Sequence, residues 1–159
     1  MSDDARFEDA GEAPLYLKAE DAEGVPVISA LVQDAVFPIS EMRWDRKARR
    51  LSLLLNRFRW EDRAAAERRR RPYERVRTVL SVGDVTAVAS QGIDRGDRDT
   101  ILSLLSVTWD PAADGTGRLI LTLAGDGAIA ASAECIDVTL KDVTRPYLAP
   151  SRKAPKHPD

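Results

Sequence analysis

Residues 101–140 read ILSLLSVTWDPAADGTGRLILTLAGDGAIAASAECIDVTL, and their pattern decides the fold. Three runs rich in β-branched and leucine residues, 101–109, 118–124 and 128–140, are separated by Pro111–Gly115 and Gly125–Gly127, which carry the glycine and aspartate that tight turns require. Links this short join antiparallel neighbours, because parallel pairing needs a crossover of a dozen or more residues. Toward the N-terminus the same period-two pattern predicts strands near 37–44, 50–59, 74–82 and 85–91. Only 60–73, WEDRAAAERRRRPY, breaks the rhythm, as a helical turn through Ala64–Glu67 or as an extended arginine-rich loop closed by Pro72.

One helix precedes the strands. Val25, Ile28, Leu31, Val32 and Ala35 fall at three- and four-residue spacing, Glu20-Asp21 supply a capping side chain, and Pro26 sits in the first turn, where its missing N–H matters little. Pro38 is expected to end this helix, and Leu15-Tyr16-Leu17 reads as a short strand before it. The fold expectation is therefore α+β: mostly antiparallel β, sandwich or barrel-like, with one N-terminal helix capping an open end or an edge of the sheet.

Two stretches follow the same plan. Trp44-Asp45 leads through a turn to Arg50-Leu51-Ser52-Leu53, and Trp109-Asp110 leads through a turn to Arg118-Leu119-Ile120-Leu121. A further β run follows each, Val79–Val85 and Ile136–Val143, so two similar meanders burying each other's apolar face would account for the chain.

The 159 residues suit one domain. The expected boundaries are an acidic, disordered tail at 1–14, a β-rich domain at 15–145 and a proline- and cation-rich tail at 146–159. No apolar run is long enough to cross a bilayer, and the opening MSDDARFEDAGEAP lacks the basic start and apolar stretch of a secretory signal, which points to the cytoplasm. A single cysteine, Cys135, forms neither an internal disulfide nor a thiolate metal cage, and is expected as a small buried thiol beside a bulge. A single histidine, His157, sits in the terminal segment, which removes most histidine-based acid–base and metal chemistry. There is no P-loop, dinucleotide fingerprint or nucleophile elbow. No catalytic residue, metal site or cofactor is assigned.

Charge is segregated along the chain. Residues 1–42 carry a net −8, residues 43–77 a net +9 and residues 78–159 a net −3. Thirteen of the fourteen cations in the middle segment are arginine, whose planar guanidinium favours bidentate contact with carboxylate or phosphate. The candidate anion or partner surface is Arg57, Arg59, Arg68, Arg69, Arg70, Arg71 and Arg75. In Asn56-Arg57-Phe58-Arg59-Trp60 the two arginines share one strand face and the two aromatics the other, with the aromatics filling core and the arginines meeting water or the acidic first segment. An alternative polar site is Asp94, Asp97 and Asp99, three carboxylates on one loop, although the interleaved Arg95 and Arg98 favour local turn capping over metal binding.

The runs LKAEDAEGVPVISALVQDAVFPISEM, RRLSLLLNRFRWE, SQGIDRGDRDTILSLLSV and GAIAASAECIDVTLKD together resemble the DUF2948 family of small bacterial proteins over nearly all of 15–143. The resemblance implies a stand-alone bacterial cytoplasmic domain and carries over no catalytic residue. The functional expectation is a non-enzymatic binding or accessory domain whose arginine-rich region meets an acidic protein, with RNA the lesser option because the chain as a whole is acidic. The rivals are a small enzyme or ligand-binding domain built on the Asp94–Asp99 loop with an arginine clamp, and a homodimer whose role is assembly.

Overall fold

The computed structural model describes residues 13–149 and 154–155. Among these residues eleven strands form one antiparallel sheet. They are β1 (Tyr16–Ala19), β2 (Ala35–Pro38), β3 (Met42–Asp45), β4 (Arg50–Phe58), β5 (Glu74–Val82), β6 (Val85–Gln91), β7 (Ile101–Pro111), β8 (Gly117–Leu123), β9 (Ala128–Ala133), β10 (Val138–Asp142) and β11 (Tyr147–Leu148). Two helices interrupt them, α1 (Gly24–Val32) and α2 (Arg63–Arg68). The antiparallel, β-dominated α+β class expected from the sequence is the class observed.

The strands run in the order β1-β10-β5-β4-β2-β7-β8-β9-β6, with β3 also on β4 and β11 on β5. The path is open, and β1 and β6 are its free ends. Two meanders, β3-β4-β5 and β7-β8-β9, are joined through β2, which pairs with both β4 and β7. Their hairpins share a register: Trp44 faces Leu51 and Asp45 faces Arg50, as Trp109 faces Leu119 and Asp110 faces Arg118. Each meander then sends a fourth strand across to the other, so that β6 pairs with β9 and β10 pairs with β5. The likeness between 79–85 and 136–143 read from the sequence is therefore offset by one strand. β5 corresponds to β9, while the run at 136–143 is the crossing strand.

The crossing is a bend in two adjacent strands. Gly83 donates its N–H to the Asp137 carbonyl at 2.8 Å, Glu134 donates to Asp84 at 3.1 Å, and Asp84 takes a positive φ of 56°. A Cβ on Gly83 would meet the Asp137 carboxylate, which would have to swing aside to admit it. Folding the sheet over brings its two apolar faces into one core. Leu51, Leu53, Leu55, Leu80 and Leu140 from one half join Val107, Leu119, Leu121 and Ile129 from the other, all essentially without exposure. Each such side chain contributes roughly 1.5–3 kcal/mol by leaving water.

Helix α1 buries Val25, Ile28 and Val32 and packs chiefly on β7. The helix starts at Gly24 with Glu23 as its N-cap and no side-chain capping bond from that residue; the carboxylate of Asp21 accepts the Gly24 N–H at 2.9 Å from the turn that leads into it. The helix lies beside β7 beyond the stretch, Ile101–Leu104, that pairs with β2, and there the Val107 N–H is satisfied by the Ser29 hydroxyl at 2.9 Å. Its end is earlier than Pro38. Asp34 adopts φ 64° and donates its N–H to the Leu104 carbonyl at 2.8 Å, so 35–38 is already strand. The expected strand at 37–44 is likewise divided, by a single 3-10 turn at Ile39–Glu41.

Of the expected tails, residues 1–12, 150–153 and 156–159 lie outside the described residues, and His157 with them. Past residue 145 the chain pairs again with β5 through β11, and Ala149 is buried. No helix among the described residues is long and apolar enough to cross a membrane. Cys135 is exposed rather than buried, because 134–137 is the bend between β9 and β10. Its thiol donates to the Asp84 carboxylate at 3.2 Å, and that contact, with the surrounding acids, pushes its pKa up and away from thiolate reactivity.

Candidate functional site

Leu51, Leu53 and Leu55 of β4 face inward, and period two carries the inward phase on to Arg57 and Arg59. Arg57 is consequently 0% exposed, not on the solvent side of its strand. A buried guanidinium needs a partner for each of its five N–H groups, and here each has one. Nε donates to the Thr78 hydroxyl at 3.2 Å; Nη1 reaches Glu61 at 2.8 Å and the Phe58 carbonyl at 3.4 Å; Nη2 reaches Glu61 at 3.0 Å and Asp142 at 3.0 Å. Burial alone would favour the neutral arginine. The hydrogen bonds and charges of Glu61 and Asp142 outweigh it and hold the guanidinium pKa above its ordinary value. Asp142 also accepts from the Thr78 hydroxyl at 2.8 Å and from the Leu15 N–H at 2.9 Å. One arginine thus ties β4, β5, β10 and the chain entering β1.

Arg59 continues the network at 3% exposure, donating Nη1 to Glu74 and standing 3.6 Å from Asp62. Asp62 is buried and receives a two-pronged pair of hydrogen bonds from Arg71. Burial works against the Asp62 carboxylate, but the hydrogen bond from Arg71 and the charges of Arg59 and Arg71 prevail and keep its pKa below the usual range. A carboxylate with a depressed folded pKa stabilises the fold above its unfolded value of about 3.9, and that stability is lost as pH falls through the folded value. Acid unfolding should therefore be less steep in Asp62→Asn than in the wild type, with the variant also less stable at neutral pH. Melting midpoints measured from neutral pH down to strongly acidic buffer check this, and parallel curves would contradict it.

These side chains border a cavity of about 490 Å³, where the chain leaves β5 after Asp142 and returns as β11. Arg145 and Pro146 line it from that excursion, and Pro14 from the chain entering β1. Phe58, with Trp60 at 4.7 Å and Tyr73 at 5.5 Å between ring centroids, forms an aromatic cluster beside the network. The Trp60 indole N–H is satisfied by the Gln33 carbonyl at 2.9 Å, so the aromatics pack internally as expected.

The arginines predicted as one surface separate into two groups. Arg57 and Arg59 are buried among acids, Arg71 is half-buried on Asp62, and Arg75 is half-buried with Nη1 3.2 Å from the Asn56 carbonyl, its pKa lowered by burial. Arg68, Arg69 and Arg70 are exposed at the C-terminal end of α2 and form no ion pair with a described acid. The helical alternative for 60–73 is the one observed. Asp94, Asp97 and Asp99 lie on an exposed loop, where Asp94 accepts the Gly96 N–H at 2.9 Å and Asp97 accepts the Asp99 N–H at 3.2 Å. They do not line the Arg59 cavity, and no cluster among the described residues is arranged to hold a metal. Sequence reading missed Glu61, Asp62, Glu74, Thr78, Asp142 and Arg145. The available signal was the period-two phase, which sends Arg57 inward and so demands buried acids.

A family model described as "Protein of unknown function (DUF2948)" matches residues 15–157. No curated protein and no solved structure matches the chain. The match spans all eleven strands and the buried arginine network, and on it the chain belongs to the DUF2948 family.

Proposed function

We propose that this chain is a non-enzymatic binding domain whose exposed arginine run, Arg68-Arg69-Arg70, takes an acidic protein surface. The observation that carries the reading is the division among the arginines: Arg57, Arg59, Arg63 and Arg71 each pair with an acid of the same molecule, whereas the three at the end of α2 pair with no described acid. Three adjacent guanidinium groups in water raise the local potential and offer forks that fit carboxylates. The backbone supports their presentation. Arg69 donates its N–H to Ala65 and Arg71 donates to Ala66, both at 3.0 Å, so the helix end that bears the run is anchored on each side. Net charge over the whole chain is −2, which disfavours the long-range attraction that RNA binders use. A bacterial, cytoplasmic setting fits the same reading.

A glutamate-rich peptide and a single-stranded RNA of equal charge, each titrated into the full chain near physiological salt, test it. The peptide should bind, and R68A/R69A/R70A should weaken it about tenfold, since exposed ion pairs contribute roughly 0.2–1 kcal/mol each. Melting should be unchanged in that variant. Peptide affinity indifferent to the triple substitution, or tighter binding of the RNA, would overturn the proposal.

A further inference from the structure

We infer that the outer face of the sheet around β4 binds the same face of a second copy of this chain, as a two-fold symmetric dimer separate from the arginine run at the end of α2. When an antiparallel sheet packs one face on the core, the residues of its other face are ordinarily polar. Here a line of them is apolar. Reading across adjacent strands from β1 to β7, the outward residues are Tyr16, Lys141, Val79, Leu54, Pro38 and Ile101. Lys141 is the one charged member. Tyr16 and Ile101 are each 61% exposed, and Val143 at 49% stands in the next row beside Arg77, whose carbonyl accepts its N–H. These are three of the five most exposed large apolar side chains among the described residues. Exposed apolar side chains gathered on one face mark a surface that meets another protein.

The charges beside the line select a second copy as that protein. Val36, Pro38 and Leu54 line a shallow depression of about 290 Å³ that Arg77 and Glu41 also line. Arg77 lies on β5 and Glu41 in the 3-10 turn after β2, so they stand on opposite sides of β4. Both are exposed, and neither is in an ion pair with a described residue. Lys141 adds a second cation on the Arg77 side. On the Glu41 side the Ser40 N–H donates to the Arg98 carbonyl at 2.9 Å, which holds the 94–99 loop there, with three carboxylates against two arginines. The face thus changes sign across β4. Two copies laid face to face about a two-fold axis running along β4 put Arg77 of each opposite Glu41 of the other, and the apolar lines cover one another. A face of one sign throughout would repel its own copy; this one attracts it.

Sedimentation equilibrium of the full chain, from low to high micromolar concentration, tests the inference. The mass should rise from 17.5 kDa toward twice that value. R77E and E41R should each associate about tenfold or more weakly, because each sets like charges opposite one another twice. An equimolar mixture of the two variants should dimerise again, since each then offers the charge that the other lacks. Ile101→Asp, at the apolar end of the line, should also weaken association. All three side chains are exposed, so the variants should keep the wild-type circular dichroism. Should a charge variant fail to fold, Ile101→Asp decides. A wild-type chain that stays at 17.5 kDa throughout, single variants that associate as the wild type does, or an equimolar mixture no heavier than its components would overturn the proposal.

Discussion

Arg57→Met should lower the free energy of unfolding by about 3 kcal/mol, at the lower end of the roughly 3–5 kcal/mol seen when one partner of a buried ion pair is removed. Methionine keeps most of the apolar volume, so the loss reports on the groups left behind and not on a cavity. Glu61 is partly exposed and can turn to water. Asp142 is only 4% exposed and cannot, although the Thr78 hydroxyl and the Leu15 N–H still donate to it, which moderates the loss. For a domain of this size the melting midpoint should fall by roughly 6–12 °C. A double-mutant cycle with Asp142→Asn separates this account from general damage. With Arg57 already gone, neutralising Asp142 should be nearly harmless or stabilising, whereas in the wild type it removes a charged partner from Arg57. Additive losses would show that the two residues do not act together.

Leu80→Ala and Leu121→Ala should each destabilise by about 2–5 kcal/mol, the range for deleting a buried leucine and leaving a cavity. The two leucines lie on different halves of the sheet, on β5 and β8, and both are fully buried in one core. The account requires similar losses at the two positions and a single cooperative transition in both variants, because folding the sheet over makes one core from two meanders. Two resolved transitions in denaturant, with one half melting before the other, would argue that the halves are separate units.

The sheet was legible because its signals are local. Leu119, Leu121 and Leu123 alternate with exposed or half-exposed neighbours, and Gly125-Asp126-Gly127 marks the turn without reference to anything distant. The crossing of β6 and β10 between meanders was not legible, since which strand's edge a run joins depends on partners far away in sequence. Pro38 misled for a similar reason. Leu104, seventy residues from Asp34, accepts the N–H that turns the chain out of the helix. The site was half legible. The alternation of arginine and aromatic at 57–60 was seen, but counting the inward leucine phase two residues further would have placed Arg57 inside. Nothing local marks Asp142 as its partner, because the two residues, eighty-five positions apart, are brought together only by the pairing of β4, β5 and β10.

The central claim is that buried arginines build this domain while the exposed run at 68–70 meets its partner. Its most direct test is the affinity of the glutamate-rich peptide for Arg57→Met and for R68A/R69A/R70A, measured well below the melting point of each. The account predicts wild-type affinity in Arg57→Met and about a tenfold loss in the triple variant. Loss of binding in Arg57→Met with affinity retained in the triple variant would contradict it.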